Sequence, residues 1–341
     1  MNARRESEFI ISDLPMDNTA LETPVALIMF NRPEHTKKVL DKIREVRPKK
    51  LYVIADGPRA HKPLDPELVL ACRRLIDEID WDCDVVRNFS EHNLGCRERV
   101  VSGLSNVFNQ EDKAIILEDD CLPSKSFFYF TQSLLNRYAD DPRVGSIAGT
   151  LPTGISTSGN ESYFFSKYPQ IWGWGTWSRV WKTYDASVAK WPTLRKTNFL
   201  QVKLYSRKAI ANWRWNLDRI YKKKIDTWDY QFVFNMWSHN LLTAIPSTNL
   251  ISNIGFGPDA THTFDTLSKL SNIVSTEIEF PLMHPESVSE TSVDPVMDSL
   301  LFNTSLIEAK IGATLSNSPK WVKLTLLTMR NWARKLLDFK N

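Results

Sequence analysis

The sequence is short of several things at once. Only four of its 341 residues are cysteine, Cys72, Cys83, Cys96 and Cys121, and no two stand in C-x-x-C spacing. That spacing argues against a zinc site or a disulfide framework and fits reduced thiols. No apolar run approaches the ~18–20 residues that a membrane span needs. The N-terminal stretch MNARRESEFIISDLPMDNTALET lacks the long apolar centre of a signal peptide, so the expectation is a cytoplasmic chain. An excess of charge of one sign is missing too: Lys plus Arg number 43 against 40 for Asp plus Glu, a net charge of +3. So close a balance argues against a dedicated nucleic-acid binder and leaves room for a local basic patch.

Hydrophobic residues make up 42% of the chain, enough for one large α/β domain or two closely joined ones. Residues 1–23 read as a mobile leader. Four short apolar runs follow, PVALIMF (24–30), LYVIAD (51–56), CDVVRNF (83–89) and KAIILE (113–118), each a predicted strand. Between them the apolar period changes to that of a helix. The predicted helices open at Pro33, with Val39, Leu40, Ile43 and Val46 on one face, and then cover 66–79, 95–108 and 124–138. Strand and helix alternate with short connections, the pattern of a mostly parallel, Rossmann-like sheet flanked by helices. Such sheets bind ligands beyond the carboxyl ends of their strands. Asn31-Arg32, Asp56, His92-Asn93 and Glu118-Asp119-Asp120 each follow a strand end, so one edge of one sheet receives all four groups.

The run AIILEDDCLP, residues 114–123, holds the sharpest signal. Three adjacent carboxylates ending a buried strand repel one another unless something positive stands against them. Mn2+ or Mg2+ prefers such oxygen ligands, and a bound ion stabilises a leaving diphosphate. Arg32 and Arg59, past other strand ends, suit the same phosphates. The bland alternative is a solvated acidic turn.

With these residues in view, the sequence resembles the GT-A glycosyltransferases, over roughly residues 24–264. In motif order it is most similar to the N-acetylglucosaminyltransferase I type and to glycosyltransferase family 2-like enzymes. The motifs are VALIMFNRPEHTKKVLDKI, LYVIADG, IILEDDCLPSKSFFYF, IWGWGTWSRVW with KWP, and WDYQF. The resemblance implies a nucleotide-sugar donor, UDP-linked by preference, a divalent metal, and a glycan or lipid-linked glycan as acceptor. It places Arg32 near the diphosphate, Asn31 on the nucleotide-donor side, Asp56 and His92 near the base or ribose, Asp119 on the ribose or donor sugar, and Glu118 along the donor or acceptor side. Asp120 would bind the metal. His262, after the loop GFGPDATHT, would reach the metal or diphosphate as a late histidine does in many GT-A enzymes. A basic, Trp-containing stretch lengthens the chain between KWP and WDYQF, which departs from the pattern and leaves the acceptor open.

An inverting transfer needs a carboxylate to take the acceptor's proton. Asp229 of DTWDYQF is the candidate: Asp226 reads as the N-cap and Asp229 falls in the first helical turn, where the helix dipole favours a negative charge. It also matches the family's catalytic aspartate, while a plain capping acid is the bland alternative. Trp172, Trp174 and Trp177 surround Gly173 and Gly175; they suit either sugar stacking on the acceptor side or core packing. Within one GT-A domain, 24–150 is then the nucleotide-sugar half and 151–264 the acceptor half, with one more strand at 241–246. Residues 265–318 read as a loose wrap or linker. Residues 319–341 have the period of an amphipathic basic helix, suited to the inner face of a cell membrane or to docking on protein. A nucleotidyltransferase would also need metal and this kind of domain, yet it usually opens with a glycine-rich loop where this chain has FNRPEH. A non-catalytic glycan-binding relative is the third reading.

Overall fold

The computed structural model describes residues 20–155, 159–255 and 273–302. The first half alternates as the pattern predicts: β1 (Val25–Met29), α1 (Pro33–Val46), β2 (Lys50–Ala55), α2 (Asp65–Arg74), β3 (Asp84–Phe89), α3 (Cys96–Phe108), β4 (Lys113–Glu118) and α4 (Lys125–Arg137). Helix α1 shows why. Pro33 opens it where no backbone donor is needed, Glu34 complements its first turn, and Val39, Leu40, Ile43 and Val46 form the buried stripe. It ends at Arg47, whose left-handed backbone returns its N–H to the carbonyl of Ile43. The second predicted helix is shorter than expected: α2 tightens into a 3-10 turn at Leu75–Glu78.

All five residues of β1 are buried, as a strand covered on both faces requires. β1 pairs in parallel with both β2 and β4, with Leu27 opposite Val53 on one side and Leu117 on the other. Met29 faces Ala55 and Ile28 faces Glu118. This register makes the three strands end level, so the residues after each leave from the same edge.

Most of the later strands extend the same sheet. They are β5 (Cys121–Pro123), β6 (Val144–Ala148), β7 (Tyr163–Ser166), β8 (Trp174–Trp177), β9 (Leu242–Pro246) and β10 (Ile251–Asn253). The eight-stranded sheet runs β3-β2-β1-β4-β8-β6-β9-β7, while β5 and β10 form a small antiparallel pair. β8 lies antiparallel against both β4 and β6. The architecture is therefore α/β, a mixed sheet with a wholly parallel first half, flanked by helices. The remaining helices are α5 (Ser178–Trp181), α6 (Trp191–Leu194), α7 (Phe199–Lys203), α8 (Arg207–Tyr221), α9 (Asp229–Ser238) and α10 (Asp294–Phe302). One apolar cluster underlies the main sheet, and a second gathers Trp191, Trp213, Phe234 and Trp237 between the late helices.

Residues 20–23, assigned to the leader by sequence, belong to the fold: Leu21 is buried, and Gln132 Oε1 accepts from the amides of Glu22 and Thr23. The described part of the predicted loose wrap is also anchored. Ile278, Leu282, Asp294 and Met297 are buried, and Ser166 Oγ donates to Asp294 at 2.5 Å. Among the described residues, no helix is long and apolar enough to cross a membrane. The tail 319–341 lies outside them.

Candidate functional site

The question posed by the three adjacent acids has an answer at the end of β1. Arg32 donates one guanidinium nitrogen to Asp119 and another to Asp120, the latter at 2.9 Å. Asp119 is buried and also accepts from the amide of Phe30 at 3.2 Å. Burial lowers the Arg32 pKa, but Asp119 and Asp120 outweigh it and hold the guanidinium charged. One guanidinium still faces three carboxyls. Burial, then the charges of Asp120 and Asp119, push Glu118 up to about 8.

Asn31 does not face this cluster. Its amide donates to Asp65 Oδ1 at 2.9 Å, and Asp65 takes a two-nitrogen ion pair from Arg59, whose guanidinium lies 5.1 Å from the centre of the Phe30 ring. Arg59 is thus pinned beside the end of β1 rather than free above it. Asp56 is spent differently from the sequence expectation. Its carboxylate accepts from the amides of Gly57, Leu94 and Gly95 and from Asn93 Nδ2, all at 2.8–3.0 Å. With two bonds on each oxygen, Asp56 organises the 93–95 turn, and a base could reach it only by displacing one of these donors. His92 sits exposed in the same turn, where its carbonyl accepts from Ser90 Oγ at 2.6 Å.

Asp229 opens α9, as the pattern predicts, but Asp226 does not cap that helix. The N-cap position is Trp228, and it makes no side-chain capping bond. Asp229 Oδ1 accepts from Thr227 Oγ1 and from the amide of Tyr230. Among the described residues no donor is assigned to its Oδ2. Its charge adds to the upward push on Glu118, after burial and the nearer acids Asp120 and Asp119. Cys96, at the start of α3, stands among them: burial first, then Glu118, Asp229, Asp226 and Asp56, drive its thiol well above the ordinary range. Tyr184 is also raised by burial and by Asp229, and its hydroxyl donates to the Trp228 carbonyl at 3.0 Å. Sequence reasoning missed Cys96 and Tyr184. The signal for Cys96 was available, since it follows the strand-end turn His92–Gly95 at a helix start.

The tryptophans divide. Trp174 and Trp177 are 0% and 3% exposed, so their faces pack the core and do not stack on a sugar here. Trp174 lies 5.8 Å from Trp228, ring over ring, and Trp177 donates its Nε1 to the Leu135 carbonyl at 3.1 Å. The neighbouring glycines serve packing: a side chain at Gly173 or Gly175 would strike Ile251 or Thr131 within 2.5 Å. Trp172 alone of the three is only partly buried.

Asp120 has the chemistry for a hard cation. Its carboxyl belongs to an under-compensated acidic group, its side chain is 14% exposed, and a Cβ at Gly255 would lie 2.2 Å from its Oδ2. The loop after β10 thus leaves room beside this carboxylate that only glycine allows. Among the described residues, no three His, Cys, Asp or Glu side chains gather as a metal cage. A single carboxylate such as Asp120 suits an ion that takes its other ligands from a diphosphate and water, as Mg2+ commonly does. His262 lies outside the described residues.

No protein-family model matches this sequence, and no curated protein matches it. Solved structures do resemble it at low identity. A mannosyltransferase from Pyrobaculum calidifontis, solved with GDP-Man and Mn2+, is 12% identical over 70% of this chain and 75% of its own, with a TM-score of 0.38. An apo UDP-glucose pyrophosphorylase is 7% identical over 67% of this chain and 93% of its own, with a TM-score of 0.37. The inositol-1-phosphate CTP transferase from T. maritima is 9% identical over 67% and 86%, with a TM-score of 0.34.

Proposed function

We propose that this protein is a metal-dependent, inverting glycosyltransferase of the GT-A type. It takes a sugar from a nucleoside-diphosphate donor, with UDP favoured, and passes it to a hydroxyl of a glycan or glycolipid. The observation that carries this reading is the strand-end acidic cluster, with Arg32 from the end of β1 paired to Asp119 and Asp120. Asp229, whose Oδ2 accepts no hydrogen bond among the described residues, adds its charge at Glu118 of that cluster. The turn after β1 also favours transfer over nucleotidyl chemistry: Phe30-Asn31-Arg32 runs straight into α1 without a glycine, and its arginine engages the acids.

In the proposed reaction, Arg32 and the ends of β1 and β4 hold the diphosphate end of the donor. A Mn2+ or Mg2+ ion at Asp120 would neutralise charge developing on the leaving diphosphate. Asp229 accepts the proton of the acceptor hydroxyl as its oxygen attacks the anomeric carbon. The anomeric C–O bond to the diphosphate breaks as the new one forms on the opposite face, and its electron pair leaves with the diphosphate. Trp172 offers a partly open face on the acceptor side, and residues 319–341 would bring the protein to a membrane that holds a lipid-linked acceptor.

The test uses the full chain, a panel of nucleotide sugars and Mn2+. Release of nucleoside diphosphate should fall ~10²–10⁴-fold in Asp229→Asn. Thermal stabilisation by UDP with Mn2+ should survive that change and vanish in Asp120→Ala. Full turnover in Asp229→Asn removes it as the base. Release of pyrophosphate from a nucleoside triphosphate would make the protein a nucleotidyltransferase instead.

A further inference from the structure

Asp226 has a different partner from the one its sequence position suggests. Its Oδ2 accepts from the amide of Cys96 at 3.1 Å and its Oδ1 from the amide of Arg97 at 3.2 Å, across 130 and 129 residues of chain. These amides are the open donors at the start of α3. Gly95, the residue before them, supplies no cap of its own and has φ +85°. A Cβ there would lie 2.7 Å from Asp226 Oδ2, so the carboxylate occupies the space that glycine leaves.

Each side of this contact leads somewhere. On one side, the amides of Leu94 and Gly95 and the Asn93 side chain are held by Asp56 at the end of β2. On the other, Thr227 Oγ1 donates to Asp229, and Gln231 Nε2 donates to the Thr227 carbonyl at 2.5 Å. Hydrogen bonds joined by the peptide links Gly95–Cys96 and Asp226–Thr227 therefore run from the end of β2 to the candidate base. Asp226 is their link between the halves and is itself exposed. Water could satisfy two exposed amides equally well. Water could not fix the distance between two segments.

The geometry points to Asp226 as a positioning residue for Asp229: its carboxylate clips the 226–231 turn to the start of α3 and so sets where the base stands over the donor. This rests on the reading of Asp229 as the base. Displacing a base by an ångström lowers the rate without weakening donor binding.

The experiment compares Asp226→Ala with Ser206→Ala, which removes an ordinary local cap: Ser206 accepts from the amide of Ala209 at 3.0 Å at the start of α8. Three quantities are measured on the full chain: kcat and KM for nucleoside-diphosphate release, the melting temperature, and amide hydrogen exchange. Asp226→Ala should lower kcat roughly 10–100-fold with donor KM changed by less than about twofold. Asp226→Asn keeps one acceptor oxygen and should recover part of the rate. Ser206→Ala should lose a similar amount of stability at full kcat. Exchange should quicken at Cys96 and Arg97 and also at 227–231 in Asp226→Ala only. An unchanged kcat, or exchange that quickens at 96–97 alone, reduces Asp226 to a simple helix cap and overturns the inference. A rise in KM matching the loss of rate overturns it as well. Exchange needs no turnover: a wild-type chain that releases no nucleoside diphosphate refutes the proposed function, while the exchange pattern still decides the clip.

Discussion

The two halves of the sheet place their polar groups by different means. In the first half, each one sits just beyond a buried parallel strand: Arg32 after β1, Asp56 after β2, Asp119 and Asp120 after β4. Local periodicity and register suffice to bring them together. In the second half, acids act across long stretches of chain. Asp226 caps α3, Glu277 accepts from the amides of Lys125 and Ser126 at the start of α4, and Asp298 accepts from those of Tyr205 and Ser206 ahead of α8. Chain-local rules place the strand-end groups of the first half, and tertiary contacts place the acids of the second.

The tryptophans test this division with the largest expected effect. Trp174 is fully buried between Trp228 and Phe232, with ring centroids at 5.8 and 4.6 Å. Trp174→Ala should cost about 3–5 kcal/mol, measured by denaturant unfolding. Trp172→Ala, at the partly open neighbour, should cost less than about 1.5 kcal/mol. Equal losses would mean that Trp172 is core as well and offers no face to an acceptor.

The same division explains what the sequence reveals. The strands of the first half are legible to within a residue or so, and its helices to within one or two except α2, which ends five residues early, because burial on both faces of β1, β2 and β4 writes unbroken apolar runs. In the second half β9 is legible at 241–246, whereas β6, β7 and β8 are not: each is four or five residues long and β8 reads WGTW, which resembles a ligand loop as much as a strand. The acidic cluster and Asp229 can be found by motif and helix position. The pairing of Arg32 with Asp119 and Asp120 cannot, since 87 and 88 residues separate the partners. Nor can the capping role of Asp226, because D-x-x-D before a helix looks like a local cap.

Asp56 offers a middle-sized test on the first half. Four donors converge on its carboxylate, two from backbone amides of a turn that precedes α3. Asp56→Ala should cost about 2 kcal/mol, since water can replace only part of that set. The amides of Leu94 and Gly95 should lose most of their exchange protection. Retained protection there would show the turn to be set by its own backbone, and would free Asp56 for the nucleotide.

The smallest effect concerns sign. Burial pushes the Glu277 carboxyl up, but hydrogen bonds from Ser126 and Lys125 outweigh it and hold it below the ordinary value. Its stabilisation is present above the unfolded-state value and is lost as pH falls. Glu118 runs the other way: burial and its acidic neighbours raise it from the ordinary 4.5 to about 8. The folded chain then binds that proton more tightly than the unfolded chain, so stability is full below about pH 4.5 and is lost as pH rises through 8. Glu118→Gln should remove this loss, raising the melting temperature at pH 9 and leaving it almost unchanged at pH 4.5. Mn2+ with UDP should narrow the difference between the two proteins at high pH, because a cation at the strand end opposes the same repulsion. A Glu118→Gln variant that gains nothing at pH 9 would show that Arg32 alone already balances the three acids.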